Sequence, residues 1–499
     1  FSSAQIPEPA QLAVMSCYGA MTSLFSPRSD LKRLIRRPEK GDRRVEALDG
    51  VRCAALLWVF ALHSMNHLFK NFFTTEVLGP PKLEDKLLKQ WWAQLPMQGA
   101  SGVDMFFVLS GFLLSRSYMK KNQGSHISTA RYATSFLIRR FFRIWPMVVA
   151  AVLTCFLLAA WVPDFRLHWI PEVAWSQVLL IPQWVDGGLD SELRHLWSVS
   201  TEMQMYLLTP LLCELLYDRA QGRRRCGAFA LLGALSLGCV ALRAWFTLGP
   251  ADMIEAQKLD FTPLYTSVFA RISPYLSGIT LHLALQQGDA SNRSMMLGLS
   301  GLVDFLAVVV MVLSVHMGQD CQPSGPGRDI MMQLLDPMSL RIWVAVWPPL
   351  FGWALARCLF RVLCASSPKQ DAPLWDHMRP WFLCKVFLSI RLWWPLAILS
   401  YGAYVMQFIA SAFLTLFLNG ELGLTTVDLD EDDLFGVTWR VAVHFCLWTF
   451  ISCLAALPMH LVVEMPGIRL GQALDQALCA RDQGDQGKDV EDAGKAGQS

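Results

Sequence analysis

Apolar residues along this chain gather into long runs, and the polar interruptions between them are mostly basic or acidic by turns. A helix crosses a bilayer in ~20 residues. Runs of that order lie near 48–69, 101–118, 141–162, 195–217, 227–248, 266–286, 295–316, 338–360, 393–418 and 437–462. The pattern predicts an all-α, polytopic membrane protein with about ten transmembrane helices around an intramembrane cavity. A further apolar stretch, 169–185, is broken by Pro171 and Pro182 and reads as a re-entrant or interfacial element. Residues 12–25 are apolar but too short to span. Basic residues follow them rather than precede them, which fits an interfacial segment better than a signal peptide. The expected organisation is an N-terminal cytoplasmic or interfacial segment over 1–46, a transmembrane domain over 47–470 and a disordered cytoplasmic tail over 471–499.

Loop charge supports this count. Arg28, Lys32, Arg33, Arg36, Arg37, Lys40, Arg43 and Arg44 precede the first run. Lys and Arg beside a first span favour the cytoplasmic side. The loops then expected on the same side are basic near 116–143, 218–226 and 357–392, while that at 287–294 is short and neutral. The opposite loops carry Asp164, Glu172, Asp186, Asp252, Glu255 and the cluster Asp428 to Asp433. The alternation predicts both termini on the cytoplasmic side. Residues 31–37 also fit a surface helix on anionic lipid.

Composition narrows the picture further. The 499 residues are 53% hydrophobic and only 17% charged, against ~25% charged in a soluble domain. No Lys/Arg array with interleaved aromatics points to nucleic acid. The 13 cysteines show no Cys-x-x-Cys pair, which argues against a disulfide framework or a zinc site, so no metal is expected.

Ionisable residues inside the apolar runs are the candidates for chemistry, because such groups are costly in lipid unless they face a cavity or a partner. Arg52 and His63 share the first run, eleven residues and about 16 Å apart along a helix. A neutral imidazole can take a proton from a hydroxyl nucleophile. His67 follows one turn later and reads as an interfacial histidine. Asp104 stands near the outer end of the second run, where a solvated cap is the plain alternative; Ser110 and Gly111 farther along it suit close helix approach. Arg140 and Arg143 lie three apart on one face, a spacing suited to phosphate contact or to ordinary positive-inside anchoring. Ser198, Glu202 and Tyr206 fall four apart on one face after Trp197. They make either a site or a polar packing ladder. Arg271, Tyr401, Tyr404 and Glu464 are weaker candidates, and His282, Asp304 and His444 read as structural.

Taken in order, these motifs resemble the membrane acyltransferase family 3, and its eukaryotic branch typified by the nose resistant to fluoxetine proteins. The first run opens Leu48-Asp49-Gly50-Val51-Arg52 and places His63 after ten intervening residues. Phe106-Phe107-Val108-Leu109-Ser110-Gly111-Phe112 follows, then Arg140, Arg143, Trp145 and Pro146, then Trp197, Ser198, Ser200, Glu202, Gln204 and Tyr206. The run from Arg271 to Gly278, the Leu399-Ser400-Tyr401 stretch and Val463-Glu464-Met465-Pro466 are similar as well. Cys53, Leu62, Met203 and Met205 depart from the usual residues.

The resemblance implies transfer of an acyl group, acetyl foremost, from cytoplasmic acyl-CoA to a hydroxyl of a carbohydrate or lipid acceptor on the opposite face. It implies a catalytic role for His63 with Arg52 and Glu202. It implies donor binding by Arg140 and Arg143, with Ser110 and Arg116 grouped on that side. Asp104, Trp197, Ser198 and Tyr206 are assigned to the acceptor. Membrane lipids are the expected surroundings. The rival reading is a non-catalytic lipid or small-molecule transporter that uses the same cavity.

Overall fold

The computed structural model describes residues 24–36, 46–72, 91–122, 128–161, 170–218, 223–248, 265–286, 300–316, 337–365, 378–415 and 434–478. Cys321, Asp164, the acidic clusters near 252–260 and 428–433, the 287–294 loop and the chain beyond 478 lie outside them. The helices are α1 (Pro27–Ile35), α2 (Ala47–Phe72), α3 (Trp91–Met97), α4 (Ser101–Asn122), α5 (Thr129–Trp161), α6 (Ala174–Val178) and α7 (Trp197–Leu216). They continue as α8 (Ala228–Leu248), α9 (Val268–Gln286), α10 (Ser300–His316), α11 (Pro337–Cys364), α12 (Pro380–Leu388), α13 (Trp393–Phe413) and α14 (Leu434–Met459). The sole strand pairing among the described residues is a two-residue ribbon, β1 (Tyr217–Asp218) against β2 (Arg223–Arg224).

Each of the ten apolar runs coincides with a helix. Six helical segments are long and apolar enough to cross a membrane by themselves: Ala47–His67, Thr129–Trp161, Ala228–Leu248, Ile342–Cys364, Trp393–Phe413 and Thr438–Leu478. The chain is an integral membrane protein. Helices α4, α7 and α9 fall outside that set, and Asp, Arg, Ser, Thr and Glu side chains lower their hydropathy. Helix α8 is the opposite case: Leu235, Leu237, Trp245 and Leu248 are exposed along it, as suits a face turned to lipid. Residues 170–196 form short helical turns rather than a span. They pack onto the bundle through the Trp145 indole, which donates to the Val178 carbonyl at 3.0 Å, and through a Ser200 hydroxyl bond to the Leu180 carbonyl.

The tightest crossing joins α4 to α9. A methyl group on Gly111 would lie 2.0 Å from the Tyr275 carbonyl oxygen, and one on Gly278 would lie 2.0 Å from that of Val108. Only glycine permits the two backbones to touch in this way.

Arg243 on α8 is fully buried among apolar helices, and prolines explain it. Pro348, Pro349 and Pro274 have no N–H, so the carbonyls four residues back lose their helical donors. Those carbonyls belong to Val344, Ala345 and Ala270. The Arg243 guanidinium donates to all three, at 2.8, 3.0 and 3.2 Å.

At the basic end of the bundle, α1 is held by Arg469, which pairs with the buried Asp30 and donates to the Leu24 carbonyl at 2.6 Å. Beyond α14 the helix passes through a π turn at His460–Glu464 and runs on to residue 478. This is past the expected start of the tail at 471. Asp475 pairs with Arg139 of α5, and Gly471 seats against Phe142, so this stretch has tertiary partners.

Candidate functional site

Helices α2, α4, α5, α7 and α13 enclose a pocket of about 110 Å³. Its lining brings together residues far apart in the chain. Arg52 comes from α2, Ser110 from α4, and Arg140 and Arg143 from α5. Helix α7 contributes Ser198, Glu202 and Tyr206, while α13 contributes Ser400, Tyr401 and Tyr404. Helix α4 lends an apolar wall through Val103, Phe106 and Phe107.

Helical spacing does much of this work. Residues four apart on α7 share a face, so Ser198, Glu202 and Tyr206 project together. The Tyr206 hydroxyl donates to Glu202 Oε1 at 2.6 Å, and the Ser110 hydroxyl donates to the same oxygen from α4. Ser110 therefore orients the carboxylate. Arg139 is used elsewhere: it pairs with Asp475 and donates to Ser135 Oγ at 2.6 Å. That leaves Arg140 and Arg143 as the α5 guanidinium groups of the pocket. Arg52 lies 3.8 Å from Asp49 one turn back on α2.

Ser198 and Tyr404 mark one end of the pocket. Their hydroxyls are 2.6 Å apart, and the Tyr404 hydroxyl also donates to the His195 carbonyl at 2.8 Å. The His195 ring lies 5.5 Å from the Tyr404 ring, and the His63 ring lies 6.3 Å from that of His195. His195 Nε2 faces the Val405 carbonyl at 3.1 Å, so that nitrogen carries the proton. His63 is absent from the lining of the pocket. Tyr404 and His195 bridge the lining to it.

The other expected residues fall elsewhere. Asp104 is fully buried, which rules out a solvated cap; it pairs with the fully buried Arg271 at 3.4 Å. The Arg271 guanidinium lies 5.5 Å from the Trp197 ring and 5.0 Å from that of Tyr265. Asp104 and Trp197 thus belong to one buried cluster outside the pocket lining, and Arg116 also lies outside that lining. His67 Nδ1 lies 3.2 Å from His444 Nε2, and His444 Nδ1 lies 2.7 Å from the Ser64 hydroxyl, so this pair is tied into a network across α2 and α14. Glu464 is paired with His460 at 2.7 Å, and Asp304 with Arg357 and Arg361 at 2.8 and 2.9 Å. Among the described residues, no group of three or more His, Cys, Asp or Glu side chains is placed to hold a metal ion.

Tyr401 and Tyr404, weaker candidates by sequence alone, both line the pocket. Their signal was a polar stripe on an apolar helix: Ser400, Tyr404 and Gln407 recur at the spacing of one helical face.

Comparison with known proteins agrees with the motif order. A family model described as an acyltransferase domain, that of acyltransferase family 3, matches residues 45–458, and the chain belongs to this family. It is 24% identical over 278 residues to nose resistant to fluoxetine protein 6 of Caenorhabditis elegans, covering 50% of this chain and 32% of that protein. It is 27% identical over 297 residues to YrhL of Bacillus subtilis, provisionally named a peptidoglycan O-acetyltransferase, covering 56% and 40%. It is 28% identical over 179 residues to the peptidoglycan O-acetyltransferase OatA of Listeria monocytogenes, covering 33% and 24%. The chain thus spans well under half the length of each of these relatives. No solved structure matches it.

Proposed function

We propose that this protein is a membrane O-acyltransferase. It takes an acyl group, acetyl foremost, from cytoplasmic acyl-CoA and passes it to a hydroxyl of a carbohydrate or lipid acceptor on the opposite face. In this reading all ten apolar helices span and both termini are cytoplasmic. One observation carries it: three guanidinium groups and one held carboxylate, from three helices, share a single pocket inside the bundle. Paired arginines suit bidentate contact with the phosphates of a nucleotide-bearing thioester. Helix α5 places Arg140 and Arg143 roughly three to four helical turns from its basic start at Thr129, the side from which CoA would enter.

In the proposed reaction the acceptor oxygen attacks the thioester carbonyl carbon and the C–S bond breaks. His63 takes the hydroxyl proton and returns it to the leaving thiolate of CoA. Arg52 and Glu202 hold the charge balance of the pocket around the acyl end. Ser198 and Tyr206 stand toward the acceptor. The thioester and His63 meet across Tyr404, which borders both the pocket and His195.

The test is transfer by purified full-length protein from labelled acetyl-CoA to a hydroxyl acceptor. The wild-type chain is expected to label the acceptor, and His63→Ala to lose at least 100-fold in rate. Full-rate transfer by His63→Ala removes the proposed role of the imidazole. Acetyl-CoA binding with no transfer to any acceptor would favour the transporter reading.

A further inference from the structure

Two hydrogen bonds fix the order of residues along the pocket. Ser110 of α4 donates to Glu202 of α7, and Tyr118, about two turns further along α4, donates at 2.9 Å to Glu214, about three turns further along α7. The two helices therefore run in the same direction. Val103 and Phe106 precede Ser110 as Ser198 and Val199 precede Glu202, so these four lining residues share one end of the pocket. Arg140 belongs to the other end. Its guanidinium lies 5.7 Å from the Phe136 ring, which packs at 5.5 Å on that of Tyr118. A thioester whose phosphates sit on the arginines thus extends its acyl group toward Val103 and Phe106.

That end is apolar and closed. Val103 and Val199 are buried, and so are His195, Leu196 and Trp197 in the turn that leads into α7. Phe106 is the exception. It packs against both hydrophobic clusters of the bundle yet stays only partly buried, and it lines the pocket, so its remaining surface faces the cavity. Its ring stands 6.5 Å from that of Tyr404, within the range of an aromatic pair in contact. Phe106 also lies five residues before Gly111, whose contact with the α9 backbone holds this stretch of α4 in place. A short acyl chain ends against the two rings, and each further methylene has to displace one of them.

We propose that Phe106, closed against Tyr404, sets the length of acyl chain that the pocket accepts, which makes the donor a thioester of a short carboxylic acid. This rests on the acyltransferase reading. Phe106 acts on donor choice and takes no part in proton transfer.

The experiment measures binding, so it needs no acceptor. Full-length protein in lipid nanodiscs is titrated with CoA, acetyl-CoA and octanoyl-CoA in a calorimeter, and the heat from protein-free nanodiscs is subtracted. The wild type is expected to bind octanoyl-CoA at least tenfold more weakly than acetyl-CoA. Phe106→Ala removes the ring and leaves an apolar cavity of the kind that takes an apolar guest. In that variant octanoyl-CoA should bind at least as tightly as acetyl-CoA. Phe106→Leu keeps more of the packing and should move the ratio the same way, by about threefold; it carries the test if Phe106→Ala is not recovered. Equal binding of the two thioesters by the wild type, or a ratio that neither substitution moves, overturns the proposal and leaves the acyltransferase reading standing. A wild-type protein that binds neither thioester nor CoA overturns the donor half of that reading and the proposal with it.

Discussion

Arg243 and Arg143 both sit within apolar helices, yet the bundle treats them in opposite ways. The Arg243 guanidinium is enclosed by Val344, Ala345 and Ala270 carbonyls that prolines have stripped of their helical donors. Arg143 opens onto a pocket together with Arg140, Arg52 and Glu202. The first arrangement is complete without a ligand. The second sets three guanidinium groups and one carboxylate around a cavity, with more positive than negative charge facing it. An arginine inside a membrane helix is therefore no marker of function by itself. What distinguishes the two is where the nearest acceptors come from: backbone in one case, an open volume in the other.

Three substitutions sharpen this contrast. Arg243→Met should have the largest effect. It leaves the Val344 and Ala345 carbonyls without donors, at roughly 1–3 kcal/mol each, and the Ala270 carbonyl with only the Cys239 thiol, and should abolish recovery of monodisperse protein on size exclusion. A well-folded Arg243→Met protein would show that the carbonyls find other partners. Glu202→Gln comes next. It keeps the shape and the bonds from Ser110 and Tyr206 but removes the charge. The expected result is about a 100-fold loss in transfer rate with the melting temperature within a few degrees of wild type. Unfolding of that variant would move Glu202 into the structural class with Arg243. Arg143→Ala is the mildest: about a tenfold rise in KM for acetyl-CoA, from loss of one phosphate contact worth ~1.4 kcal/mol, with acceptor KM unchanged. Unaltered acetyl-CoA binding would end the donor role of this pair.

How much of this was legible beforehand depended on whether the signal was local. The α7 ladder was legible because Ser198, Glu202 and Tyr206 are spaced for one helical face. The helices themselves were legible because apolar runs of bilayer length admit few alternatives. Arg243 carried no signal. Its partners lie near positions 270 and 344, and only the packed structure brings two proline-broken helices to one guanidinium. Asp104 misled in the other direction. A carboxylate near a helix start reads as a solvated cap, and the contrary evidence, Arg271, is more than 160 residues away. A methyl group on Gly99 would lie 2.6 Å from the Leu62 Cβ, so a glycine on the neighbouring segment makes room for that leucine, a pairing 37 positions apart that no local pattern announces.

The backbone contact between α4 and α9 has a mechanical consequence. With Gly111 and Gly278 each pressed on the other's main chain, no side chain lies between these helices to act as a bearing. They can neither slide nor roll past one another, so they serve as the fixed frame. The opposite wall is built differently: α13 meets its neighbours through side chains, with Tyr401 donating to the Ile144 carbonyl and Tyr404 to that of His195.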